Sequence, residues 1–323
     1  MILFSFCIVF ILGAAVGSFL NVVILRAFSG ESIVLPPSKC PQCKEKIKPW
    51  DNIPILSYLF LKGKCRHCKA KISPQYPLVE LFTAIIFTFV YYRFGFTLNT
   101  IFLMIASSLF IVMSVTDIKE KVVFDRHAYI LAALGLIYNF LNIAGENTTK
   151  IKFFIAGWDI AVWQVFIFSV LGLIFGVIAM ESISRLSSLI IKKRAFGEGD
   201  SYIVGALGAF FGIANLIVIL ILSVIIQIAL FLPIYIQKLF QDKQYRLLIS
   251  LFLFAILTVL LQLGERYGLF RSMTFYWFTF ALFACIGIYC IKNIVKSIKE
   301  GNNLTYFPFG PALIIAAFLV MFV

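Results

Sequence analysis

Apolar runs of about 20 residues, the length that carries a helix across a bilayer, recur along this chain from one end to the other. That recurrence limits the fold more than any other feature. Inside a hydrocarbon core every backbone N–H and C=O must be paired within the protein, which leaves helices or a closed barrel. Runs this long and continuously apolar, without strand alternation, select helices. With 62% hydrophobic and 13% charged residues, the chain lies outside the range of soluble domains. The expected fold is an all-α polytopic bundle of about ten transmembrane helices, near 2–25, 78–94, 99–116, 128–144, 160–181, 201–213, 215–237, 247–263, 274–291 and 307–323. The first run has no basic residue ahead of it and no small-x-small cleavage site, so it reads as a retained span with its N-terminus outside.

The formal charge of +13 would suggest a nucleic-acid partner in a soluble protein. Here the positive-inside rule accounts for it, and no nucleic acid is expected. Lys39, Lys44, Lys46, Lys48, Lys62, Lys64, Arg66, Lys69 and Lys71 crowd the hydrophilic segment after the first span and place it in the cytoplasm. Threading the spans from there puts the later basic clusters on alternate loops. Asp117 then closes the third span and Asp200 opens the sixth, both at the cytoplasmic face.

Cys40-Pro-Gln-Cys43 and Cys65-Arg-His-Cys68 are two CxxC knuckles with 21 residues between them. A CxxC turn presents two thiolates at about the spacing of two tetrahedral corners, so the pair predicts a structural Zn2+ held by Cys40, Cys43, Cys65 and Cys68. Disulfides or free thiols are the alternative, and a reducing cytoplasm disfavours the former. His67 can replace one ligand but reads better as solvated. Cys7, Cys285 and Cys290 fall in spans and read as packing residues. Trp50, Ile53, Ile55, Leu56 and Leu59 give the segment enough apolar surface for a small domain or an amphipathic stretch on membrane lipid.

Carboxylates beside apolar spans carry the remaining chemistry. Asp200 fits a helix cap complementing the dipole, but capping leaves Gly197 and Gly199, on either side of Glu198, unexplained. They free the backbone to bend and to let another chain approach. Gly205, Gly208 and Gly212 with Ala206 and Ala209, including a GxxxG at 208–212, predict a small-residue face that brings Asp200 against a neighbouring helix. Asp117 ends an apolar run and is the expected partner, while Asp125 follows a charged run and reads as an ordinary carboxylate or cap. Two carboxylates meeting in a low-dielectric site divide their roles, one activating water and the other polarising a carbonyl. No GxSxG, HExxH or phosphate-binding glycine loop competes.

These residues match a known pattern: GSFLNVVILR (17–26), the two knuckles around Trp50, YPLVELFTA (76–84), Asp117 with Asp125, FGEGD (196–200) and PFGP (308–311). The chain resembles the type IV prepilin peptidases, GxGD membrane aspartic proteases. The resemblance implies a bacterial inner-membrane enzyme that removes the short basic leader of prepilins and pseudopilins at the cytoplasmic face, cutting after glycine. It implies Asp117 and Asp200 as the catalytic pair, Gly197, Glu198 and Gly199 as the active-site loop, and Asp125, Glu80, Pro308 and Gly310 in supporting positions. Many such enzymes then methylate the new N-terminus from S-adenosylmethionine. Phe124 stands where the family has proline, and Ser201 and Tyr202 where it has a branched residue and lysine.

The organisation expected is a first helix (1–26), a cytoplasmic tetracysteine segment (27–77), a catalytic bundle (78–240), an inserted hairpin (241–300) that preserves parity, and a final helix (301–323). The competing functions are an ion or proton-coupled transporter, which would place ionisable groups at mid-span on several helices, and a scaffold with degenerate aspartates.

Overall fold

The computed structural model describes residues 2–120, 124–141, 162–191, 197–241 and 308–322, with isolated positions between 245 and 292. Within them the chain is helical: α1 (Ile2–Ser29), α2 (Leu56–Phe60), α3 (Gln75–Phe94), α4 (Leu98–Glu120), α5 (Asp125–Phe140), α6 (Val162–Ile191), α7 (Glu198–Gln241) and α8 (Gly310–Phe322), with a short 3-10 turn at Pro49–Asn52. Two compact units divide the chain, and the site lies in the first: Met1–Ser184, Phe196–Val224 and Pro308–Val323.

Among the described residues five helices, α1, α3, α4, α6 and α7, are long and apolar enough to cross a membrane. The all-α membrane fold stands on these. The span expected at 128–144 is the shorter α5, of 16 residues. The spans expected at 247–263 and 274–291, and with them the inserted hairpin, lie outside the described residues except at those isolated positions.

The spans expected at 201–213 and 215–237 form one element, α7, interrupted at Gly212, whose φ of 75° and ψ of 166° are not helical. Unbroken, its 44 residues would measure about 66 Å, more than twice the hydrocarbon thickness. An interruption at membrane depth exposes carbonyls that lipid cannot satisfy. Side chains serve them here: Asn139 Nδ2 donates to Ala209 O at 3.0 Å and Phe210 O at 2.9 Å, and Asn215 Nδ2 to Phe211 O at 3.0 Å. Ser169 Oγ adds a second donor to Ala209 O.

The GxxxG reading at 208–212 therefore needs correction. Gly208 and Gly205 do pack tightly, against Gly172 and Val177 of α6, but Gly212 supplies the break and not the contact. A Cβ at either Gly172 or Gly208 would overlap the other's carbonyl. Asn139→Leu is expected to destabilise the protein by about 2 kcal/mol, since the buried Phe210 O loses its side-chain donor and Ala209 O keeps only Ser169. Thermal unfolding in detergent should show the loss, and an unchanged midpoint would remove Asn139 from this role.

At the other side of the bundle, Gly13 and Gly17 bring α1 onto the backbone of α3 at Ala84 and Glu80. Asn21, 1% exposed, donates to Tyr76 O at 3.1 Å where the cysteine segment returns to α3. Arg26 donates to the carbonyls of Ser32 and Pro36 where that segment leaves α1. The polar residues of GSFLNVVILR thus hold both ends of the segment. Cys7 corrects another expectation: it is exposed on α1 and does not pack the core.

Candidate active site

Three carboxylates are buried among the described residues: Glu80, Asp117 and Asp200. Asp117 sits in the last turn of α4 and Asp200 in the first turn of α7, at 2% and 3% exposure. Each accepts a backbone N–H from a helix start. Gly310, the first residue of α8, donates to Asp117 Oδ2 at 2.9 Å. Gly197, just ahead of α7, donates to Asp200 Oδ2 at 3.1 Å, the reach-back of a third-position acid in a capping box. Two helix dipoles thus point their positive ends at the two carboxylates. Asp117 and Asp200 are close enough to interact electrostatically.

The packing that brings them together is aromatic and tight. Phe110 of α4 stacks on Phe211 of α7 at 6.4 Å, and Tyr138 of α5 on Phe210 at 5.0 Å. An ideal Cβ on Gly135 would stand 2.6 Å from the Phe210 backbone, so α5 meets α7 main chain directly. Tyr202, in the departure from the family pattern, meets Tyr129 of α5 edge-on at 5.5 Å. Of the loop residues, Glu198 is exposed and Gly197 and Gly199 are half-buried. Asp125 is exposed at the start of α5, unlike Asp117. Pro308 is half-buried, and a Cβ on Gly310 would overlap Asp117 Oδ2.

The four cysteines converge. Their sulfurs lie within 4.8 Å of one another, with Cys40 and Cys68 at 3.9 Å. Tetrahedral Zn–S bonds of about 2.3 Å require S···S near 3.8 Å, so the set fits a closed four-thiolate zinc site with no position for water. The two knuckles are copies of one turn: Cys40 and Cys65 N–H groups donate to Glu45 and Ala70 carbonyls at 2.9 and 2.8 Å, and Lys44 and Lys69 take φ of 60° and 59°. The backbone N–H of Cys43 holds the Cys40 thiol down to about 7, while at Cys43 the Glu45 N–H is outweighed by burial and the Cys40 and Cys68 thiols, which push it up to about 11, as crowding of thiols at one point requires. Arg66 donates from Nε and Nη2 to both carboxylate oxygens of Asp51, at 2.6 to 2.9 Å, and holds that carboxyl below the usual range. Metal analysis is expected to find about one zinc per chain, lost in Cys40→Ser with Cys65→Ser. Metal-free protein whose cysteine segment is equally protected from exchange would refute it.

Glu80 has a different task from the aspartates. Its Oε2 accepts the N–H of Ile55 at 2.7 Å. Ile55 has φ of 63° and ψ of −52°, and Leu56 N–H closes onto Pro54 O at 2.6 Å, a γ-turn of the strained hand. A β-branched residue pays for this conformation, so the turn persists only because Glu80 and its neighbours hold it.

The model of the bacterial peptidase A24 N-terminal domain matches residues 11–94, and that of the type IV leader peptidase family matches 104–232. A prepilin leader peptidase/N-methyltransferase of Neisseria gonorrhoeae is 32% identical over 240 residues, covering 67% of this chain and 77% of that one. The chain belongs to the type IV leader peptidase family. Another member, from Pseudomonas aeruginosa and of the same description, is 33% identical, over 62% of this chain and 71% of its own. A type 4 prepilin-like proteins leader peptide-processing enzyme of Escherichia coli is 34% identical, over 62% and 74%. No solved structure matches.

The leader peptidase match includes Asp117, Asp125 and Asp200 and stops before Gly310. Gly310 on Asp117 and Phe318 edge-on to Phe110 both join α8 to the matched region. Sequence reasoning missed Asn139 and Ser169. The available signal was the polar residue itself, since an asparagine inside an apolar helix needs partners there.

Proposed function

We infer that this chain is a membrane aspartic endopeptidase that removes the leader of type IV prepilins or pseudopilins, with Asp117 and Asp200 as its catalytic pair. The observation that carries the assignment is Asp117, buried at a helix end, bonded to the first N–H of α8 and within the field of Asp200. Two carboxylates in one buried site share a proton more readily than they hold two charges. The ionised one takes a proton from water as the oxygen attacks the scissile carbonyl, and the protonated one donates to the carbonyl oxygen. Collapse of the tetrahedral species breaks the C–N bond, and the proton taken from water passes to the leaving amine.

The buried acids favour this over transport, because Glu80, Asp117 and Asp200 all sit within two turns of helix ends and none at mid-span. The lysine-rich cysteine segment supports a cytoplasmic site in a bacterial inner membrane, and a ten-span bundle with an inserted hairpin at 241–300 remains our reading of the topology. Cutting after glycine rests on the resemblance. N-methylation of the new amino terminus rests on the names of the relatives; S-adenosylmethionine would supply the methyl group, and no residue here is assigned to it.

The test is to incubate the purified protein in lipid with a prepilin and S-adenosylmethionine and to read both products by mass spectrometry. Leader release at a single glycine is expected, with a 14-Da gain on the mature end if methylation is retained (about one CH2 added to the amine). An intact precursor with well-folded, zinc-loaded enzyme would refute the peptidase.

A further inference from the structure

The cysteine segment presents an apolar face that its own fold leaves uncovered. α2 exposes Leu56, Leu59 and Phe60 by 50, 63 and 81%, three residues at the i, i+3, i+4 spacing of one helix face. Trp50, 60% exposed, lies in the Pro49–Asn52 turn against which α2 packs, with Lys48 Nζ over its ring at 5.5 Å. The strained γ-turn at Ile55 starts this helix, and Glu80 of a membrane-crossing helix holds it. Strain kept at one point calls for a functional reason.

We propose that this face is an interfacial anchor that seats the cysteine segment on an anionic lipid surface. Charge selects the occupant. Between residues 31 and 73 there are nine Lys and Arg against three Asp and Glu, so the segment attracts acidic headgroups. An apolar helix face with tryptophan at its edge and lysines around it has the composition of an interfacial element. Position agrees: the segment leaves α1 at Ser29 and rejoins α3 at Gln75, the ends of two crossing helices, so a bilayer surface is within reach.

Full-length protein in nanodiscs of phosphatidylcholine, with and without phosphatidylglycerol, tests the proposal by hydrogen exchange over residues 50–61. Exchange should be slower with phosphatidylglycerol, and Leu59→Asp with Phe60→Asp should abolish the difference while zinc content and the protection of residues 79–90 hold. Should that variant lose its zinc, Lys62→Gln and Lys64→Gln provide a second reading, since both lysines are exposed and neither lies on the apolar face. Each is expected to weaken the lipid-dependent protection roughly fivefold, the effect of one basic residue at such a surface. Protection indifferent to lipid charge, protection that appears only on adding a prepilin, or protection that requires two chains per disc would each overturn the anchor.

Discussion

Asp117→Asn and Asp200→Asn are each expected to lower leader cleavage by about a thousandfold or more, and the double variant to be no worse than either. Removing either member of the proposed pair leaves no proton to share and no base beside an acid. Asparagine preserves volume and can still meet a backbone N–H through its amide oxygen, so the fold is spared. Asp125→Asn provides the contrast, since an exposed carboxylate at the start of α5 has no such partnership, and it should stay within about tenfold of the parent. Single-turnover cleavage of a prepilin in proteoliposomes separates the cases. Activity that survives Asp117→Asn and disappears in Asp125→Asn, at equal abundance, would transfer the role to Asp125.

Gly310→Ala comes next in size. The new Cβ would overlap Asp117 Oδ2, so either the carboxylate swings away or α8 retreats, and the 2.9 Å bond from the Gly310 N–H is lost in both cases. A displacement of about 1 Å in a catalytic group can cost about a hundredfold, and that loss should fall on kcat with KM little changed. Thermal unfolding should move by far less than the activity, because α8 keeps its buried Leu313 and Ile314 contacts. Full activity in Gly310→Ala would mean that Asp117 does not depend on this donor.

The aspartates were legible in the sequence because a charge beside an apolar run is costly, and a costly residue announces itself. The cysteines were legible because ligand geometry fixes their spacing. Gly310 was not legible in that way. It stands 193 residues from Asp117, and only the resemblance of PFGP to a family motif singled it out. Gly212 shows a different limit. A glycine serves either where a Cβ will not fit or where φ is positive, and a run of glycines at helical spacing does not say which. The structure gives the first use to Gly205 and Gly208 and the second to Gly212. The turn at Ile55 was illegible for the opposite reason, since nothing about isoleucine suggests a positive φ.

The bond between α8 and Asp117 also sets an order of events in the cell. The chain is made from its N-terminus, so α4 and α7 are synthesised before α8 and Asp117 spends that interval without its donor. The contact between α8 and Asp117 is thereby tied to the last stretch of the chain to be made, and a chain truncated ahead of Pro308 would carry both aspartates with Asp117 lacking this donor.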